Sequence, residues 1–213
     1  MTEIQQQHIA ALRQAVEDHF SADSSGHDWP HVQRVWRLAA RLAQAEGADQ
    51  YVTQLAALAH DLEDHKLDAT PRIKDWLERI GVEQSVIDTV YEICAAVSFK
   101  GALVPDAMPS LEGRCVQDAD RLDALGAIGI ARTFAFGGSR GRALYDPSDG
   151  GTLHDNFEAY KNKSTGSLNH FFEKLLLLKD RMHTPSALQI AEERHAYLEG
   201  FVQRFLSEWD ALD

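Results

Sequence analysis

Cysteine is scarce in this chain of 213 residues, which holds only Cys94 and Cys115. Both sit in apolar, helix-like surroundings without the close spacing of metal-binding cysteines, so neither a disulfide scaffold nor a thiolate metal site is expected. They read as reduced core residues of a cytoplasmic protein. Positive charge is also in short supply. Lys and Arg number 21 against 33 Asp and Glu, a net charge of −12. Nucleic acid and anionic membranes both demand a basic surface, and neither is expected as a partner. No hydrophobic run approaches a membrane span; the most conspicuous, Leu175 to Leu178, is held between Lys174 and Lys179. The first residues, Met1-Thr-Glu-Ile-Gln-Gln-Gln, lack the basic-then-apolar order of a signal peptide. Alternating strand patterns and internal repeats are missing too, which leaves helices.

Helical periodicity is abundant. Ile4, Ala11, Leu12, Ala15, Val16 and Phe20 give one amphipathic helix over 3–20. Asp28 then reads as an N-cap, with Trp29-Pro30 in the first turn of a helix that stops at Gly47. The next helix starts near Asp49 and runs into His60-Asp61. Thr70-Pro71 opens a short helix to Gly81, and 82–99 forms a longer one. After a loop at 100–110, one long pattern is expected through Val116, Leu122, Leu125, Ile128 and Ile130 to Gly137-Gly138. Residues 137–153 read as an irregular segment, and three more helices are expected at about 154–163, 168–182 and 185–210. The expected fold is all-α, a single domain over 1–213. Its core spans about 20–137, with a C-terminal helical extension at about 154–213 packed on it.

One stretch carries chemistry on its face. Leu55-Ala-Ala-Leu-Ala-His60-Asp61-Leu-Glu63-Asp64-His-Lys66 drives an apolar helix straight into imidazole and carboxylate. Burying those groups is costly unless something satisfies them, and a divalent metal binds both. Within it Asp64 and Lys66 follow the pair by about one turn, and two other pieces accompany it: His27-Asp28-Trp29-Pro30-His31 with Arg34-Val35, and Asp118-Ala-Asp120-Arg121-Leu-Asp123. Two imidazoles and two carboxylates on separate helices suit Mn, Fe, Zn or a similar ion, with water in the open positions. Asp118 and Asp120 point roughly 200° apart on a helix, whereas Asp120 and Asp123 share a side. That makes Asp120 the expected ligand and Asp123 its supporting neighbour, while Asp118 caps a backbone amide or faces solvent. Residues 131–182 hold eight Lys/Arg against six Asp/Glu, leaving thirteen against twenty-seven elsewhere. A locally basic segment in an acidic chain is compatible with a small phosphorylated substrate.

This order of His, His-Asp and Asp on helices resembles the HD-domain phosphohydrolase superfamily. Within it the chain is similar to stand-alone bacterial hydrolases through five pieces: His27 to Val35, His60 to Lys66, Asp118 to Arg132, His170 to Lys179 and Ala191 to Phe201. The resemblance implies an HD helical core with additional C-terminal helices, and metal ligands at His31, His60, Asp61 and Asp120. His27 lies outside the helix begun by Asp28 and is expected behind the ligands or in the loop. Two-metal members add histidines between the His-Asp pair and the late aspartate. None occurs here between His65 and Asp120, so one divalent ion is expected, Mn first among Mg, Fe, Co, Ni and Zn. Asp64 is the expected base, with Glu63 its rival, and Lys66 the group on a phosphoryl oxygen. Arg34, Lys66, His170 and Lys174 are the expected substrate contacts, His170 and Lys174 standing one turn apart on one helix with Lys179 further along. The implied reaction is hydrolysis of a nucleoside triphosphate, or its deoxy form, to monophosphate and pyrophosphate by a metal-activated water. The alternatives are a nucleoside 5′-monophosphatase, a cyclic-nucleotide phosphodiesterase, or a non-catalytic nucleotide sensor.

Overall fold

The computed structural model describes residues 1–21, 28–63, 73–97, 108–148 and 166–212. Among them every regular element is helical, as the absence of strand patterns predicts. None of these helices is long and apolar enough to cross a membrane. The chain divides into two compact units, Met1–Ser98 with Ala107–Asp120, and Phe99–Asp106 with Arg121–Asp213.

The first unit is built around α3 (Gln50–Ala59), which packs against α1 (Glu3–Phe20), α2 (Trp29–Glu46) and α5 (Gln84–Val97). Sequence dictates this central place. Leu55, Ala56, Ala57, Leu58 and Ala59 are all buried, and a helix apolar on every side must be surrounded. The short α4 (Ile73–Arg79) packs on α5, and Glu63 Oε1 accepts from the Ile73 N–H at 2.8 Å. Local signals set the boundaries. Thr2 and Gln5 form a capping box on α1, and Asp28 and Asp49 cap α2 and α3. Gly47 closes α2 with a left-handed φ of 74°. The unit also takes in α6 (Leu111–Asp123) as far as Asp120, and there the Glu112 carboxylate accepts from the Asp49 N–H at 3.0 Å.

In the second unit α9 (Pro185–Trp209), capped by Thr184, packs along α7 (Gly126–Ser139). Its interior is aromatic. Phe134 of α7, Phe171 of α8 (Asn169–Glu173) and Phe201 and Phe205 of α9 have ring centroids 5.8–6.0 Å apart, a spacing at which rings attract beyond simple burial.

Two helical expectations are corrected here. The long pattern through Leu122 to Ile130 is two helices, α6 and α7, joined by a corner at Ala124-Leu125. Leu125 is extended (φ −107°, ψ 161°) and Gly126 has a φ of 68°. A Cβ on Gly129 would fall 2.1 Å from the Ala124 carbonyl oxygen, so only glycine admits so tight a return. In the sequence, apolar residues at helical spacing on both arms of the corner mimic one continuous face, although Ile128 on the α7 arm is exposed. The expected helix at 168–182 is likewise α8 followed by two 3₁₀ turns, Leu175–Leu177 and Lys179–Arg181. Lys174 (φ −139°, ψ −60°) leaves the helical region, and four consecutive leucines supply no period to restore it. His170 and Lys174 therefore do not sit along one continuous helical face with Lys179. The helix expected at about 154–163 lies outside the described residues.

Candidate metal centre

Three elements of the first unit bring four side chains to one point. His31 is in the first turn of α2, where the Asp28 carboxylate accepts from its N–H at 3.0 Å. That cap, with Pro30 beside it, fixes where the helix starts and so fixes the imidazole. His60 is the C-cap of α3 and Asp61 follows in the turn, so the helix ends just short of the pair rather than running through it. Asp120 comes from the last turn of α6.

His31 Nε2 lies 3.3 Å from Asp61 Oδ2 and 3.5 Å from Asp120 Oδ1. His60 Nε2 lies 3.4 Å from Asp61 Oδ1 and 4.0 Å from Asp120 Oδ1. Asp61 thus turns one oxygen toward each imidazole. These separations exceed ordinary N–H···O distances, yet they approach the ~3.4 Å that separates ligand atoms placed tetrahedrally about 2.1 Å from one ion. His31, His60 and Asp120 each offer a ligand atom within 4.8 Å of the others.

The histidine tautomer strengthens the fit. His60 Nδ1 lies 2.9 Å from the Ala57 carbonyl oxygen, which can only accept, so Nδ1 carries the proton. In the neutral ring Nε2 is then a lone pair, and it is buried without a hydrogen-bond partner. A buried acceptor of this kind is costly unless a cation takes it, and a backbone carbonyl behind a ligating imidazole is a common way to orient it. The donor set fits a divalent ion. Exposure is graded across it: the His60 and His31 side chains are 1% and 2% exposed, Asp61 12% and Asp120 32%. One side of the cluster is sealed by protein and the Asp120 side is open to a substrate.

Of the two expectations for Asp118, burial removes the solvent-facing one: it is fully buried, two positions before the carboxylate that joins the imidazoles. Asp123 is buried in the second unit and accepts from Arg132 Nη1 at 2.8 Å. Glu63, the rival base, uses its carboxylate on the Ile73 N–H. Arg34 is half-buried one turn beyond His31 on α2. His170 lies in α8 and Lys174 at its C-terminal cap. His27, Asp64 and Lys66 lie outside the described residues. Sequence reasoning missed the Ala57 carbonyl; the only signal was its place three residues before His60 in an alanine-rich turn.

Residues 29–125, which contain all four clustered side chains, match the HD domain family. The likeness extends over nearly the whole chain to an HD-superfamily hydrolase from Bacillus thuringiensis, 42% identical with a TM-score of 0.75, covering 97% of this chain and 99% of that one. The chain belongs to the HD superfamily. Among its relatives is YpgQ of Bacillus subtilis, 42% identical over 209 residues, 95% of this chain and 94% of YpgQ. The structure of YpgQ in complex with ADP superposes with a TM-score of 0.78 at 35% identity, covering 96% of each chain. A Lactobacillus plantarum protein gives a TM-score of 0.88 at 36% identity over 99% of both chains.

Proposed function

We propose that this chain hydrolyses nucleoside triphosphates, or their deoxy forms, to the monophosphate and pyrophosphate. As an HD-superfamily enzyme it is a metal-dependent phosphohydrolase, acting as a single hydrolase domain over residues 1–213. The observation that carries the reading is the convergence of His31, His60, Asp61 and Asp120 around a buried, unpartnered His60 Nε2. These four residues would hold one divalent ion, Mn being the first choice. Bound there, it would supply Lewis-acid charge to a phosphoryl oxygen and lower the pKa of water.

The chain's own residues do the remainder. His60, oriented by Ala57, and His31, set by the α2 cap, hold their imidazoles aimed at one point. Asp64 takes the proton of the attacking water, and Lys66 offsets charge on the phosphoryl oxygens. His170 and Lys174 bind the phosphates beyond the attacked one, and Arg34 contacts the substrate. The nucleotide as substrate is supported by the YpgQ relative, whose structure holds ADP.

Hydrolysis of a triphosphate in ¹⁸O-labelled water decides the point of attack. Label in the nucleoside monophosphate, with pyrophosphate as coproduct, is the expected result. Release of inorganic phosphate and a nucleoside diphosphate overturns it, and turnover of monophosphates alone establishes the 5′-monophosphatase reading in its place.

A further inference from the structure

The carboxylate of Asp120 reaches the two imidazoles only if α6 holds one rotation about its own axis. Side-chain ends lie about 5–6 Å from a helix axis, so a roll of ~20° carries a carboxylate by about 2 Å. That is a whole metal–oxygen bond of roughly 2.0–2.2 Å. Something must therefore prevent the roll, and it has to act near Asp120. The Glu112 contact lies about two turns away and is an exposed hydrogen bond.

Gln117 is placed to do this. It lies three residues before Asp120, about 60° away around the axis and ~4.5 Å along it. It is 2% exposed. Its Nε2 donates to the carbonyl oxygens of Ala96 at 3.2 Å and Val97 at 3.1 Å. Those are carbonyls of the last turn of α5, where a helix leaves its C=O groups without intrahelical partners. The amide nitrogen has two hydrogens and two acceptors, so both donors are spent on one helix end. An apolar side chain of similar length would keep the packing and lose the angular lock. A carboxylate would face two carbonyl oxygens and repel them.

We infer that Gln117 is a positioning residue for the metal centre: by gripping the end of α5 it sets the rotation of α6 and so the reach of Asp120. The inference rests on the metal-site reading above. Gln117→Met should weaken Mn²⁺ affinity, measured by calorimetry on fully folded protein, about 10-fold, at the low end for groups that orient ligands from behind. The visible absorption of the Co²⁺-loaded protein, which reports ligand geometry, should change shape as well. Gln117→Asn keeps the amide on a shorter arm and should fall between wild type and Gln117→Met; it decides the matter if the methionine variant does not fold. Thr53→Val removes a different buried bond of the same unit, Oγ1 to the Asp49 carbonyl at 2.7 Å, and should lower the Tm without moving Mn²⁺ affinity or the Co²⁺ spectrum. If the Gln117 variants behave like Thr53→Val, losing stability with affinity and spectrum intact, the positioning role is refuted. Asp120→Asn separates the two readings. Affinity lost in Asp120→Asn but kept in the Gln117 variants sinks this inference alone, whereas affinity kept in both sinks the metal site and this role with it.

Discussion

The two units keep their order by different means. In the first, polar side chains decide where helices begin and end: Asp28 and Asp49 cap α2 and α3, Glu63 caps α4, and Gln117 closes the end of α5. Each such contact has a direction, so the elements carrying His31, His60, Asp61 and Asp120 are fixed to the accuracy that ligands need. The second unit has polar contacts too, Thr184 capping α9 and Arg132 on Asp123, but its interior is filled by rings. Phe134, Phe171, Phe201 and Phe205 pack together, and the chain around them bends at Gly126 and breaks at Lys174. Burial of this kind is tolerant of backbone course, which is why the leucine run there could become 3₁₀ turns. Directional polar contacts build sites; apolar contacts build bulk.

The sharpest test of that contrast uses two aspartates two positions apart in α6. Asp120→Ala should abolish metal binding and lower kcat/KM by at least ~10³-fold, about 4 kcal/mol of transition-state stabilisation, while leaving the metal-free Tm nearly unchanged. Asp118→Ala should do the opposite. Asp118 is fully buried, so its loss should lower the Tm while the folded fraction keeps its metal. Calorimetry and Mn²⁺ titration on both variants check this, and a reversed pattern would break the site assignment.

Next in size is a polar contact in the aromatic unit. Asp123 is almost wholly buried, and Arg132 reaches it from one helix on. Arg132→Ala would leave the carboxylate buried without that guanidinium and should cost about 3 kcal/mol in urea unfolding. The contrast between the units predicts that Mn²⁺ affinity changes much less than stability in this variant. A collapse of affinity larger than that of Gln117→Met would show that the second unit also sets ligand geometry.

What could be read from the amino acids follows the same division. Asp28, Gly47 and Thr184 are local signals with local consequences, and the helix starts and stops they imply stand as expected. The His-Asp pair after an alanine-rich run was legible because burying it demands a cation. The corner at Ala124-Leu125 was not, because apolar periodicity persists on both arms in the sequence, and the bend shows only in the backbone: the extended Leu125, the left-handed Gly126 and the close approach of Gly129 to the Ala124 carbonyl. That Asp118 is buried was not legible, because helical geometry says which way a residue points but not what lies there. The Ala57 and Gln117 contacts join side chains to backbone carbonyls, and carbonyls leave no trace in a sequence.

The smallest expected effect comes from the two cysteines, both in the first unit. Burial pushes the Cys115 thiol up from its ordinary value of 9.0 to about 12, helped by the carboxylates of Asp118, Glu46 and Glu112. Cys94 is raised further by burial, then by Glu63 and Asp61, and its thiol donates to the Ala56 carbonyl at 3.6 Å. At pH 7 both should therefore resist alkylation in the folded protein and react only when the unit opens. Mn²⁺ binds the folded unit and should slow labelling further by mass action. The pH dependence has a definite sign. A thiol whose pKa is raised by folding holds its proton in the native state after the unfolded chain has lost it. Its contribution is complete below pH 9 and falls as pH rises from 9 toward 12. Cys115→Ala should accordingly lose less stability than wild type across that alkaline window and show the same slope below it, as measured by urea unfolding at a series of pH values. Equal slopes above pH 9 would mean that the thiol is not held protonated by the fold. Rapid labelling of either cysteine at pH 7 would mean that the polar caps of the first unit do not keep it closed.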